Sequence, residues 1–365
     1  MRLRPFSALY FIRENKARCV LLMFMIFLGF GDYLGGLYVT NPLDSWECYL
    51  QYSDEMVIVN PAMTDEDLSD FAAFTEELEA NDQVTILRLG ETEGFQWFTI
   101  MGFESGFASL TFCSVEDFRT YCEHFGIQCD FESLGNGSLI LSDKLARNRG
   151  LEIGDKVNRD TNETVYVYGD YTVTAFTQED GYLQYYINEE VGDSLRLLIL
   201  GNGISGTELY DLAYGIHDSH PVSIYEIREL ITDQLETFDT IYLFVILLLS
   251  VILAVTINAA FVGMYQRRNF EFAVYRAIGM GKGAIVRKLL GEFLWMDVLA
   301  LVLGGGVVFL GLYLFNNLVL YPDGKYLRYF HPTALTGLVV CNVMVILPLI
   351  LTRCRQLLRA DICEY

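Results

Sequence analysis

Four stretches of this chain, residues 19–39, 238–264, 289–319 and 333–352, are almost wholly apolar. Each is long enough, at about 1.5 Å per residue, to cross a hydrocarbon core of about 30 Å. Segments of this kind satisfy their own backbone as helices and lie in lipid, so the chain is expected to be a multi-pass membrane protein. Hydrophobic residues make up 52% of the 365, yet the formal charge is −22. Those two properties must occupy different parts of the chain. Residues 41–236 hold 9 Lys/Arg against 38 Asp/Glu and carry −29, while the remainder carries +7. The acidity therefore belongs to one polar block inserted between the first two apolar stretches.

Basic residues near the spans set the orientation. Arg2, Arg4, Arg13, Lys16 and Arg18 precede the first stretch, Arg267, Arg268, Arg276, Lys282, Arg287 and Lys288 lie between the second and third, and Arg353, Arg355 and Arg359 follow the fourth. The loop at 320–332 has only Lys325 and Arg328. By the positive-inside rule both termini and the 265–288 loop are expected in the cytoplasm of a plasma-membrane protein, with the acidic block outside. The first stretch exceeds the usual 7–15-residue core of a signal peptide and has no convincing small-residue cleavage site after it, so it is read as a retained helix.

The expected fold is thus a membrane α-helical protein of four transmembrane helices with an inserted extracytoplasmic α+β domain of two lobes. The expected order is an amphipathic inner segment at 1–18, spans at 19–40, 237–264, 289–319 and 333–352, and the outer domain at 41–236. A coupling segment at 265–288, an outer loop at 320–332 and a cytoplasmic tail at 353–365 complete it. Within the outer domain, 55–60 and 83–89 read as strands and 65–80 as an amphipathic helix opened by Thr64. A strand pair at 95–101 and 107–112 precedes a capped helix from Ser114. Beyond 138 come a strand, a short helix and further strands at 164–168, 171–176, 182–188 and 194–199. From Pro221 no Gly or Pro occurs until Gly263, and Ile224, Ile227, Ile231, Leu235 and Phe238 recur at helical spacing. One helix could run from the domain into the second span as a stalk, unless it breaks near 237–239.

Inside the spans, Gly31 and Gly35 have a spacing that lets helices approach closely. Asp32 and Asp297 are costly in lipid, so each calls for a partner across helices or a wet site. Cys48, Cys113, Cys122 and Cys129 fall in the outer block, where a disulfide is compatible with the compartment but its connectivity is not deducible. His124, His217, His220 and His331 are too few and scattered for a metal or Ser/His centre, and no catalytic residue or metal site is assigned. The acidic block keeps an exposed domain soluble; attraction of cationic peptides is the sharper alternative. No nucleic-acid partner is expected.

The inner loop is the most informative segment. Arg267 and Arg268 end the second helix where guanidinium groups reach headgroups, and Glu271 lies four residues on, within pairing range of Arg267. Phe272, Val274 and Ile278 form an apolar ridge between charges, and Gly279, Gly281 and Gly283 let the chain turn before the next helix. The pattern R-R-x-x-E-x-A-x-x-R-A-I-G, with Glu292 at the mouth of the next span, resembles the coupling region of FtsX/MacB-type ABC permeases. Leu141–Val157 is similar to the L-A-x-x-x-G-L-x-x-G-D-x-V element of that family's MacB-like outer domain, and the basic stretch from Ala8 to Arg18 also fits. The resemblance implies that Arg267, Arg268, Glu271, Arg276, Ala277, Ile278, Gly279 and Glu292 form a docking and coupling site for an ABC ATP-binding subunit. It also implies that a second permease copy or a related permease, and membrane lipids, complete the assembly. The chain lacks G-x-x-x-x-G-K-[ST], so ATP and Mg²⁺ are expected on the partner and no cofactor on this chain. The implied activity is mechanotransmission for export or extraction of peptide, lipoprotein or lipid-like cargo. Control of a cell-wall hydrolase, or sensing of antimicrobial peptides, is the alternative.

Overall fold

The computed structural model describes residues 29–47, 54–59, 65–106, 109–158, 169–190, 196–216, 224–266 and 269–359, with residues 16, 19, 20, 23, 27, 52, 160 and 167. Two compact units emerge. One gathers residues 1–39, 238–315 and 327–365; the other gathers 40–237 and 316–326.

The second unit is built on one mixed sheet. Its strands are β1 (Met56–Val59), β2 (Val84–Leu89), β5 (Leu110–Phe112), β6 (Ser138–Ser142), β7 (Lys156–Val157), β8 (Tyr171–Thr177), β9 (Gln184–Ile187) and β10 (Arg196–Gly201). Their order across the sheet is β1-β10-β2-β5-β9-β6-β8-β7, with a separate hairpin of β3 (Phe95–Phe98) and β4 (Phe103–Gly106). β1, β10 and β2 pair antiparallel. β5 runs parallel to β9, and β6 parallel to β8.

Alternation along each strand produces the layers. Met56, Leu87, Leu89, Leu198 and Leu200 face one side together with Phe112, Ile140, Ala175, Tyr185 and Ile187, forming one core that crosses the whole sheet. The helix α3 (Val115–Phe125) caps it through Phe118, Tyr121 and Cys122. The opposite face is divided. Val57, Val59, Leu197 and Ile199 pack under α2 (Asp65–Glu79) and α5 (Thr207–Ile216). Leu139, Leu141, Val173 and Tyr186 pack with β3 and with α4 (Asp143–Arg149). Both coverings lie on the back of one sheet, joined by the shared front core and by the β2–β5 pair Leu89↔Phe112.

Side chains set the helix ends here. The Ser114 side chain accepts a hydrogen bond from Asp117 N at 3.0 Å, and Ser142 accepts one from Leu145 N at 3.3 Å. Gly126 (φ 68°) and Gly150 (φ 64°) end the two helices in the left-handed conformation that a side chain would strain. The expected pairing of 95–101 with 107–112 is corrected. Phe95–Phe98 pairs with Phe103–Gly106, while Leu110–Phe112 enters the main sheet. The strand expected at 164–168 and the Thr64 cap fall outside the described residues.

In the first unit, α1 (Gly29–Glu47), α6 (Ile224–Gln266), α7 (Asn269–Ala277), α8 (Lys282–Phe315) and α9 (Pro332–Arg359) are helical; the π-helical turn (Asn316–Leu320) that follows α8 belongs to the second unit. Only part of α1 and α6 belongs to the first unit. Among the described residues three helices are long and apolar enough to cross a membrane, at Glu236–Ala259, Lys282–Leu320 and Pro332–Thr352. Most of residues 19–28, the start of the expected first span, lies outside the described residues. α6 has no break at 237–239, and its 43 residues make it about 65 Å long. Phe244, Val255, Val302 and Val307 point outward, which suits a lipid-facing surface.

Glycine in α1 acts at a different place from the Gly31/Gly35 pair expected. A methyl group on either of those would meet nothing within 4 Å. On Gly36 it would lie 2.0 Å from the Tyr242 hydroxyl and 2.9 Å from Ala334 Cβ. Gly36 is therefore the residue that lets α1 approach α6 and α9.

Candidate functional site

The segment after α6 is short and sharply bounded. Arg267 and Arg268 lie outside the described residues. α7 follows and stops in a Schellman turn: Gly279 N donates to Arg276 O and Met280 N to Tyr275 O, each at 3.0 Å, with Gly279 at φ 92°. One side of α7 is fastened to its own unit. Phe272 is 3% exposed and packs with Ile285, Leu289 and Phe293 of α8. Lys288 Nζ donates to the Tyr275 hydroxyl at 3.0 Å and sits over its ring at 4.3 Å.

The other side is open. Phe270 is 76% exposed, Val274 42% and Ile278 66%. These three stand four residues apart and so share one helical face. The apolar ridge expected from sequence was Phe272, Val274 and Ile278; Phe272 is instead the inward anchor, and Phe270 replaces it on the outer face. The four-residue spacing was the available signal. Glu271 and Ala277 are exposed beside the ridge and Arg276 is half-buried. Glu292 is 0% exposed, inside α8, so it is not on the surface that α7 presents.

Asp32 and Asp297, the acids expected within spans, have neighbours across helices. Asn342 Nδ2 of α9 donates to Asp297 Oδ1 of α8 at 2.8 Å. The Tyr242 hydroxyl donates to the backbone oxygen of Asp32 at 2.6 Å, and the Asp32 carboxylate is hydrogen-bonded with the Cys341 side chain. Cys113, Cys122 and Cys129 are free thiols, and Cys48 lies outside the described residues.

The sheet-bearing unit has a feature that sequence reading missed. Residues 321–326, expected as a plain outer loop, are seated on α4 and the β3 hairpin. Gly324 is buried at φ 60°, and a methyl group there would lie 2.4 Å from Lys144 O and 2.5 Å from Asn148 N. The Tyr182 hydroxyl donates to Gly324 O at 3.1 Å. Asn148 Nδ2 donates to Asp323 O at 3.3 Å and to Phe98 O at 2.8 Å, while its Oδ1 accepts from Phe98 N at 2.7 Å. Asn41 Nδ2 donates to Tyr326 O at 2.7 Å. The connection between the two last apolar helices is thus locked to the outer domain by backbone contacts that only glycine permits at its centre. No short-range pattern announces such a contact; a lone glycine in a polar loop reads as a turn.

Residues 242–354, which contain all of α7 and α8 and most of α6's apolar part and α9, match the family model of the FtsX-like permease C-terminal domain. This region, under a third of the chain, is similar to that permease domain. α7 and Glu292 both lie in the matched part. Among solved structures, the crystal structure of the periplasmic region of MacB from Actinobacillus actinomycetemcomitans aligns with 49% of this chain and 93% of its own length. The identity is 11% and the TM-score 0.28, a likeness too loose to bear on the outer domain. No curated protein matches the chain.

Proposed function

We propose that this chain is the permease subunit of an ABC transporter whose separate ATP-binding subunit docks on the exposed face of α7. The observation that carries the reading is the Phe270, Val274 and Ile278 ridge, flanked by Glu271 and Arg276 within the FtsX-like region. An apolar stripe with charged borders on a helix anchored from behind is the kind of surface that buries against a partner. Arg267 and Arg268, which precede α7 in sequence, take part in docking, Ala277 and Gly279 shape the end of the ridge, and Glu292 acts behind it. ATP and Mg²⁺ belong to the partner, and two permease chains, identical or related, receive two ATPase subunits. Both termini and α7 face the cytoplasm, and the acidic domain faces outward.

Movement of α7 with the ATPase would reach the outer domain by two covalent routes, the unbroken helix α6 and the α8 to α9 connection locked at Gly324. Such coupling suits export or extraction of peptide, lipoprotein or lipid-like cargo without a polar path through the membrane centre. Charge reversal at the site tests it. Glu271→Arg and Arg276→Glu should each reduce copurification with the ATPase and abolish its stimulation, and full coupling in both variants would sink the docking assignment.

A further inference from the structure

The locked loop forms one wall of a cleft of about 660 Å³ in the sheet-bearing unit, whose other walls are α4 and the turn at 176–180. The volume suits a small ligand or a lipid headgroup. Its charges are unequal in how firmly they are held. Glu179 accepts from the Tyr52, Tyr185 and Thr177 hydroxyls, each at 2.8 Å, so it is committed to the interior. Asp143 and Asp180 make single-contact surface pairs with Arg147 at 3.2 Å and Lys144 at 3.3 Å. Exposed pairs of this kind are weak and exchange readily with a competing anion.

The cations are held in place by aromatic rings. Lys144 Nζ lies 4.9 Å from the Tyr182 ring centroid and Lys325 Nζ 5.9 Å from that of Phe98. Among the described residues Lys325 has no carboxylate in ion-pair range. Tyr321 directly follows Leu320, the last residue of an apolar span, and Tyr321 stacks on Tyr326 at 5.5 Å and 19°. Tyrosines at the end of a span settle at headgroup level. Tyr321 also lines the cleft, so one cleft wall begins one residue beyond the end of an apolar span. A domain carrying −29 repels free anions from solution, which favours an anion tethered at the end of that span over a free one.

We propose that this cleft binds the phosphate-bearing headgroup of an anionic phospholipid, held by Lys144, Arg147 and Lys325. The proposal does not rest on the ATPase-docking reading. Its test is calorimetric titration of the full chain in uncharged detergent with dihexanoylphosphatidylglycerol, with inorganic phosphate and trilysine as separate arms. Saturable binding of the lipid is expected, weakened about tenfold in K325Q. The D180N variant, which frees Lys144, should bind more tightly than wild type. Opposite signs in two surface variants separate recognition from loss of folding. Unchanged lipid affinity in both variants, or saturable binding of trilysine in place of the lipid, would overturn the proposal. Inorganic phosphate binding as tightly as the lipid would retain the phosphate chemistry and overturn the lipid as its source.

Discussion

Two short helices, α4 in the sheet-bearing unit and α7 in the helical one, end in the same way and are used differently. Leu151 N donates to Ala146 O at 2.9 Å beyond Gly150, as Met280 N donates to Tyr275 O beyond Gly279. Both helices put apolar side chains inward, Leu145 and Ala146 in one and Phe272 in the other. The outer side of α4 is covered by the chain itself, through Gly324 and Asp323. The outer side of α7 carries Phe270, Val274 and Ile278 in the open. The difference separates a contact completed within the fold from one whose complement is another molecule.

The comparison breaks most readily at Phe272. Phe272→Ala should destabilise the helical unit by about 3–5 kcal/mol, as loss of a buried aromatic ring does. Phe270→Ala, on the same helix, should leave thermal stability within about 0.5 kcal/mol of wild type. Thermal unfolding in detergent distinguishes them, and equal losses would mean that the two faces are not as assigned.

At α4 the corresponding change is Gly324→Val, which adds both a backbone collision and an unfavourable φ. A loss of about 2–4 kcal/mol is expected, with ATPase copurification retained. Smaller is Asn148→Ala, which leaves Phe98 N and Phe98 O without their side-chain partner. It should cost about 1–3 kcal/mol and raise protease sensitivity of the 321–326 loop; a loop as resistant as wild type would remove the lock.

The gentlest probe of the outer core is Cys129. Burial, aided by the Asp130 charge, pushes its thiol up to about 11 from 9.0. Because the folded value lies above the unfolded one, its contribution to stability is complete below pH 9 and is lost as pH rises toward 11. Alkylation of the folded protein at pH 8 should therefore be slower than that of the unfolded chain and should accelerate steeply above pH 10. A rate equal to that of the unfolded chain at pH 8 would show Cys129 to be solvated.

Local physics explains what sequence conveyed. The alternations in 55–60 and 83–89 and the caps at Ser114 and Gly150 depend on neighbours within a few residues, and they appear in the structure within a residue or two. What depended on distant partners was missed. Leu110–Phe112 has enough apolar character to pair anywhere, and its place between β2 and β9 is decided by the shared front core. Gly35 and Gly36 are indistinguishable until Tyr242 is packed against one of them. The inner ridge was legible as a class of surface but misassigned by one residue, because both Phe270 and Phe272 are apolar and only packing on α8 separates them.

The most direct measurement is photo-crosslinking from the two faces of the inner segment in the complete complex, with benzoylphenylalanine placed in turn at Phe270, Val274, Ile278 and Leu289. The docking account predicts a crosslink to the ATP-binding subunit from position 278 and none from the buried position 289. Crosslinks absent from positions 270, 274 and 278 alike would contradict it.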